Sequence, residues 1–236
     1  MAIETAQEQA AGALPEFCNE KLVDFSVPEN HQKMQAAVEK VRGELGRHYP
    51  LVIAGRQITE GDRWMSLNPS RPEQAIGTFP KATLEHADQA IQAANEAFAS
   101  WKQVPARERA GWLLRAAELM RRRKFELSAW MIFEAGKTWP EADADTAEAI
   151  DFCEFYAREA LRILLPDPSR VTPVPGERNE LRYIPLGAGL VISPWNFPLA
   201  ITTGMTTAAI VSGNTVVLKP SSDSPVIAYK HYEILK

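Results

Sequence analysis

The sequence predicts an α/β fold that begins a parallel, doubly wound sheet behind a long helical region. Three observations predict it. Gly189-Leu-Val-Ile-Ser193 and Thr215-Val-Val-Leu218 are short, apolar and β-rich, as strands covered on both faces are. A helix of small residues over 199–212 lies between them, and Gly213-Asn214 supplies its stop. The unit therefore reads strand–helix–strand, with a right-handed crossover expected. Between 84 and 164, apolar residues recur every three or four positions, which is the helical period.

Taken in order, residues 1–24 are polar at their start and read as a flexible tail. From 28 to 49, Met34, Val38, Val41 and Leu45 outline a helix that Gly46 ends. Residues 51–58 read as a short strand with a glycine turn at Gly55. Asn68-Pro69 and Arg71-Pro72 punctuate a loop, and 75–79 reads as a second strand. Leu84, Ala87, Ile91, Ala94, Phe98 and Trp101 form one apolar helical stripe, with Thr83 placed to cap it. Pro105 suits the first turn of the next helix, whose apolar face is Trp112, Leu113, Ala116, Leu119 and Met120. The pattern resumes through Leu127, Trp130, Met131 and Phe133 and stops at Gly136-Lys137. Pro140 opens a helix to about 164, with Ile150, Cys153, Ala157 and Leu161 inward. Pro166, Pro168, Pro173, Pro175 and Gly176 mark a turn-rich stretch, and a strand is expected over 180–185. Ser224-Pro225 supply the cap and first turn of a last helix.

Composition excludes several classes. Hydrophobic residues at 45% and charged residues at 24% are ordinary for a folded domain and argue against a wholly disordered chain. The formal net charge of −4 argues against a nucleic-acid-binding face. No apolar run has the roughly 18–20 residues of a membrane helix, and the first residues lack the pattern of a signal peptide. Cys18 and Cys153 cannot build a disulfide framework, which fits a cytoplasmic location.

In a parallel sheet, ligands sit at the carboxyl ends of the strands. Two segments occupy those ends: Pro194-Trp-Asn-Phe-Pro198 and Lys219-Pro-Ser-Ser-Asp-Ser224. Asn196 stands between two prolines. Its amide is either an oxyanion donor or a turn-former bonded to its own backbone. Lys219 either meets ribose hydroxyls or phosphates or ends its strand in solvent. Gly187-Ala-Gly189 is not a dinucleotide fingerprint, because the third glycine would fall at Ile192. Glu134, just before a helix stop, either orients a polar substrate or acts as a structural cap. The acids Glu141, Asp143, Asp145, Glu148 and Asp151 lack calcium-loop spacing and suit the first turns of a helix. The basic run at 121–124 reads as a solvated helix face. Cys153 reads as inert core.

The segment Ile192-Ser-Pro-Trp-Asn-Phe-Pro198, followed by Gly213-Asn-Thr-Val-Val-Leu-Lys-Pro-Ser221, resembles the aldehyde dehydrogenase superfamily. The stretch from Gly136 to Phe152, with Phe133-Glu-Ala-Gly-Lys137 before it, resembles the branch that oxidises 1-pyrroline-5-carboxylate. The resemblance implies a Rossmann-like NAD-binding domain, with NAD preferred to NADP. It divides the chain into a tail (1–24), a helical part with strands (25–165), a β-hairpin used in oligomerisation (166–186) and the first, incomplete βαβ of the cofactor domain (187–236). It implies oxidation of L-glutamate γ-semialdehyde to L-glutamate in proline catabolism, through a cysteine thiolate and a thioester. Asn196 would be the oxyanion donor, and Glu134 and Phe197 would face the aldehyde. Ile192, Ser193, Pro194, Trp195, Lys219 and Ser222 would line the cofactor cleft. A small-molecule aldehyde, a homo-oligomer, no nucleic acid and no membrane are the expected partners. Family members run to roughly twice this length, with the nucleophilic cysteine and general-base glutamate further on. The expectation is therefore an N-terminal fragment, inactive alone. The alternatives are a non-catalytic nucleotide-binding or oligomerisation module and a dehydrogenase for another semialdehyde.

Overall fold

A computed structural model describes residues 14–236. The apolar stripes expected of the central helices meet in one core. Helix α1 (Pro28–Arg42) leads to the strands β1 (Arg47–His48), β2 (Leu51–Ile53), β3 (Arg56–Ile58), β4 (Arg63–Asn68) and β5 (Arg71–Pro80). Four helices follow: α2 (Leu84–Trp101), α3 (Ala106–Arg122), α4 (Lys124–Ala135) and α5 (Trp139–Leu164). The chain ends with β6 (Ala188–Ile192), α6 (Ala200–Val211), β7 (Thr215–Lys219) and α7 (Pro225–Leu235). Leu113, Met120, Leu127, Trp130, Met131, Ile150 and Cys153 pack together where α3, α4 and α5 meet.

Local sequence explains most element ends. Thr83 accepts from the His86 N–H, and His86 reciprocates, which closes a capping box on α2. Thr138 and Glu141 do the same for α5. Gly136 ends α4 in the left-handed region, at φ 66°, where a side chain would be strained. The β2–β3 hairpin turns through Ala54 and Gly55, both at positive φ, the twist that two-residue hairpins favour. On α6, a Cβ at Gly204 would lie 3.0 Å from the Phe152 ring, so the small residue lets α6 close on α5.

The strands form three separate sheets. β1, β5 and β4 make one sheet in that order, with β1–β5 parallel and β4–β5 antiparallel. The expected loop at 68–72 shrinks to a two-residue turn, Pro69-Ser70, between paired β4 and β5, and β4 was not expected from the sequence. β6 and β7 pair in parallel through α6, as the strand–helix–strand pattern predicts.

Several expectations need correction. The flexible tail over 1–24 does not describe residues 14–24, and residues 1–13 of it lie outside the described part. The Glu20 and Val23 N–H groups donate to Asp151 and Asp143, each at 2.7 Å. Lys124 Nζ donates to the Lys21 carbonyl at 2.6 Å, and Arg121 bridges Glu20 and Glu154. Acids of α5 supply the acceptors that hold this strap. The basic run is correspondingly not one solvated face, because Lys124 is buried against Asp143 at 3.1 Å.

The β-hairpin expected over 166–186, with its strand at 180–185, does not form. That stretch holds one short 3-10 turn (Pro168–Arg170) and no strand among the described residues. Strands exist through ladder partners, and the prolines remove donors for such a ladder. The stripe on α2 is also mostly uncovered: Ala94 is buried, but Leu84 and Ile91 are exposed. Trp112 and Leu119 lie at the rim of the core, and Trp112 stacks on Trp101 instead.

His231 on α7 is fully buried, with Nδ1 3.2 Å from Thr203 Oγ1 on α6 and no partner for Nε2. Burial pushes its imidazole down to about 4. Between pH 6.5 and 4 the unfolded imidazole takes up a proton that the folded one refuses. The stability His231 contributes is therefore complete above 6.5 and falls through that window by about 3 kcal/mol. Urea unfolding of wild type and His231→Leu should give a difference that changes by that amount between about pH 7 and about pH 4. A pH-independent difference would contradict the buried neutral imidazole.

Candidate functional site

The site is built where β6 and β7 end. Their register pairs Ile192 with Lys219, so the two strands release their following loops side by side. This is the carboxyl edge of a parallel pair, where such sheets bind ligands. Ile192, the last residue of β6, is exposed, as are Trp195, Asn196 and Phe197 on the loop that follows, while Pro194 is half-buried. Lys219, the last residue of β7, and Ser222 on the second loop are exposed. The structure thus gathers these residues at one edge.

The first loop is held from beneath. Ser193 is buried, and its Oγ accepts from Thr202 Oγ1 at 2.8 Å. Leu199 and Ala200 are fully buried at the start of α6. Asp145, on α5, accepts the Ala200 N–H at 2.7 Å. This places a carboxylate against the positive end of α6. Lys137 Nζ lies 3.1 Å from Asp145 Oδ2, a charge contact that leaves this oxygen without an aligned hydrogen bond. Lys137 also sits 4.2 Å from the centre of the Phe197 ring. Burial pushes the Asp145 carboxyl up, against the lowering effect of Lys137.

The second loop is anchored at Ser222, whose carbonyl accepts from Trp64 Nε1 at 3.1 Å. Beyond it, Ser224 occupies the cap position of α7 but makes no side-chain cap. Glu134 makes it instead. Its Oε1 accepts from the Val226 N–H and Ser66 Oγ, and its Oε2 accepts from the Ile227 N–H, all at 2.8–2.9 Å. Glu134 is only 2% exposed. Burial pushes its carboxyl up to about 7, against the three donors that pull it down. The expectation that Glu134 faces an aldehyde meets a carboxylate already held by α7 and β4. The structural-cap reading describes its contacts.

Sequence reasoning missed Lys137, Asp145, Trp64 and Ser66. Asp145 stood within an acidic set assigned to the first turns of a helix. Only Glu141 caps the helix in that way, while Asp143 and Asp145 are buried against Lys124 and Lys137. The discoverable signal was Thr138-Trp-Pro-Glu141, a capping box that fixes where α5 begins. Cys153 is buried, and burial pushes its thiol up to about 12, which leaves almost no thiolate near neutrality.

Comparisons with known proteins bear on the same residues. The family model "Aldehyde dehydrogenase family" matches residues 58–236. A 1-pyrroline-5-carboxylate dehydrogenase of Geobacillus thermodenitrificans is 52% identical over 220 residues, covering 93% of this chain and 42% of the relative. The crystal structure of 1-pyrroline-5-carboxylate dehydrogenase from Thermus with bound NAD superposes with a TM-score of 0.91 at 49% identity. That match covers 95% of this chain and 43% of the other. The corresponding Mycobacterium tuberculosis enzyme bound with NAD gives 0.85 at 31% identity, covering 96% and 42%. The chain thus spans less than half the length of these relatives. No helix among the described residues is long and apolar enough to cross a membrane. With the family model matching most of its length and a solved relative superposing on nearly all of it, the chain belongs to the aldehyde dehydrogenase family.

Proposed function

We propose that this chain is the N-terminal, cofactor-binding portion of an NAD-dependent 1-pyrroline-5-carboxylate dehydrogenase. The whole enzyme oxidises L-glutamate γ-semialdehyde to L-glutamate. The observation that carries this reading is the 52% identity to the Geobacillus enzyme over 93% of the chain. Within the reading, residues 187–236 begin a Rossmann-like doubly wound domain behind the helical part at 25–165. The exposed apolar residues Leu181, Tyr183, Ile184 and Leu186 support 166–186 as a subunit contact in a homo-oligomer.

The residues at the strand ends fit an NAD molecule. Lys219 is an exposed ammonium with no ion pair among the described residues, placed to grip ribose hydroxyls. The backbone of 192–195 walls the cleft beside it. Ser222 stands where family members often carry a ribose-binding Glu, so the grip falls to Lys219. When bound, the nicotinamide supplies the two-electron acceptor. Asn196 donates its amide N–H to the aldehyde oxygen, which becomes negative as a thiolate adds to the carbonyl. Phe197 offers an apolar wall to the aldehyde chain.

The nucleophile belongs to the family's catalytic half, since Cys153 is buried and inert and Cys18 lies on the N-terminal strap. The purified 236-residue chain should therefore produce no NADH from glutamate γ-semialdehyde and NAD. Continued through a catalytic half, it should favour glutamate γ-semialdehyde over succinate semialdehyde and betaine aldehyde. Turnover by the chain alone would overturn the division of labour. Equal kcat/KM across the three aldehydes would overturn the substrate.

A further inference from the structure

The geometry points to Lys137 and Asp145 as positioning residues that hold the Asn196 loop in its working shape. This rests on the reading of Asn196 as the oxyanion donor. The loop is short and exposed, yet an oxyanion donor must hold its place to within a fraction of an ångström. Two buried attachments bracket it. On its amino side, Ser193 is tied to Thr202. On its carboxyl side, Lys137 faces the Phe197 ring and Asp145 accepts from Ala200. Lys137 and Asp145 face each other at 3.1 Å, so one charge pair sets both carboxyl-side contacts.

Burial makes the arrangement demanding. Asp145 is fully buried, and the Lys137 side chain is only 10% exposed. A buried carboxylate of this kind keeps a single arrangement only while its counter-charge stays in place. A cation over an aromatic face is strongest where water is excluded. Lys137 follows the left-handed Gly136 directly, and Asp145 lies on α5 two turns past its cap. The α4–α5 turn therefore fixes the distance between the two charges. Through them it fixes the loop that follows β6.

The test is hydrogen exchange in the 236-residue chain, resolved at Ala200 and Ile201. The Ala200 amide is held by Asp145, and the Ile201 amide donates to the Phe197 carbonyl at 3.1 Å. In Lys137→Met both amides should exchange more than tenfold faster, while amides at the centres of α3 and α4 stay unchanged. Lys137→Arg should restore protection, because a guanidinium can pair with Asp145 and stack on Phe197. If Lys137→Met does not fold, Lys137→Met combined with Asp145→Asn buries no lone charge. That double variant should speed Ile201, while the carbonyl oxygen of the introduced side-chain amide keeps Ala200 protected. Unchanged exchange at Ile201, or acceleration spread equally over α3 and α4, would overturn the assignment. Asn196→Ala touches neither contact and should leave the exchange as in wild type. Failure of the oxyanion reading would thus appear in kcat alone, and failure of the clamp in exchange alone.

Discussion

Asn196→Ala, in a chain continued through the family's catalytic half, is expected to lower kcat by about 100–1,000-fold with little change in KM for NAD. The expectation follows from the place of Asn196. It sits on an exposed loop at the carboxyl edge of β6, and that loop is bracketed by buried contacts at Ser193 and Ala200. On the proposed reading, an amide held in that way would meet the developing oxyanion without reorganising first. Lys219, the proposed cofactor grip, is on the neighbouring strand and is untouched by the substitution. Steady-state kinetics with saturating NAD would measure it. An unchanged kcat would remove Asn196 from the role and leave it as a turn residue.

The largest expected effect on stability is at Glu134. Glu134→Ala orphans three donors in a buried site, the Val226 and Ile227 N–H groups and Ser66 Oγ. Each unsatisfied buried group costs about 1–3 kcal/mol, so the total loss should be about 4 kcal/mol in urea unfolding at neutral pH. The effect has a pH signature. The folded carboxyl holds its proton to about 7, against an ordinary value of 4.5. The unfolded state therefore releases its proton first as pH rises, and the contribution of Glu134 to stability declines between 4.5 and about 7. Glu134→Ala should remove that decline along with the three bonds. If the alanine variant does not fold, Glu134→Gln keeps an acceptor oxygen and should lose less. A cost below about 1 kcal/mol for the alanine variant would mean that water caps α7 equally well.

Much of the fold was legible because its cues are local. The cap at Thr83 and the stops at Gly136 and Gly213 are written within a few residues of where they act. The βαβ unit was readable because both strands and the small-residue helix carry their own periodicity. β4 was not readable, since Arg63–Asn68 becomes a strand only by pairing with β5 across an irregular register. The strand expected over 180–185 failed for the converse reason, a β-rich stretch without a ladder partner. From the sequence the N-terminal strap reads as a tail, because its anchors, Asp143 and Asp151, lie more than a hundred residues away.

The candidate site divides along the same line. The helix–strand order, the two loops at the strand ends and the family that those loops resemble were all readable from the order of residues. Each rests on periodicity or a short motif, which needs no partner. Packing alone settled that Ile192 and Lys219 stand side by side, that Glu134 caps α7 and that Lys137 and Asp145 face each other beneath the Asn196 loop. Those facts depend on which buried charge finds which donor once the helices have packed. A carboxylate's role is set by its distant partners and its loss of solvent, and neither is encoded in its neighbours along the chain.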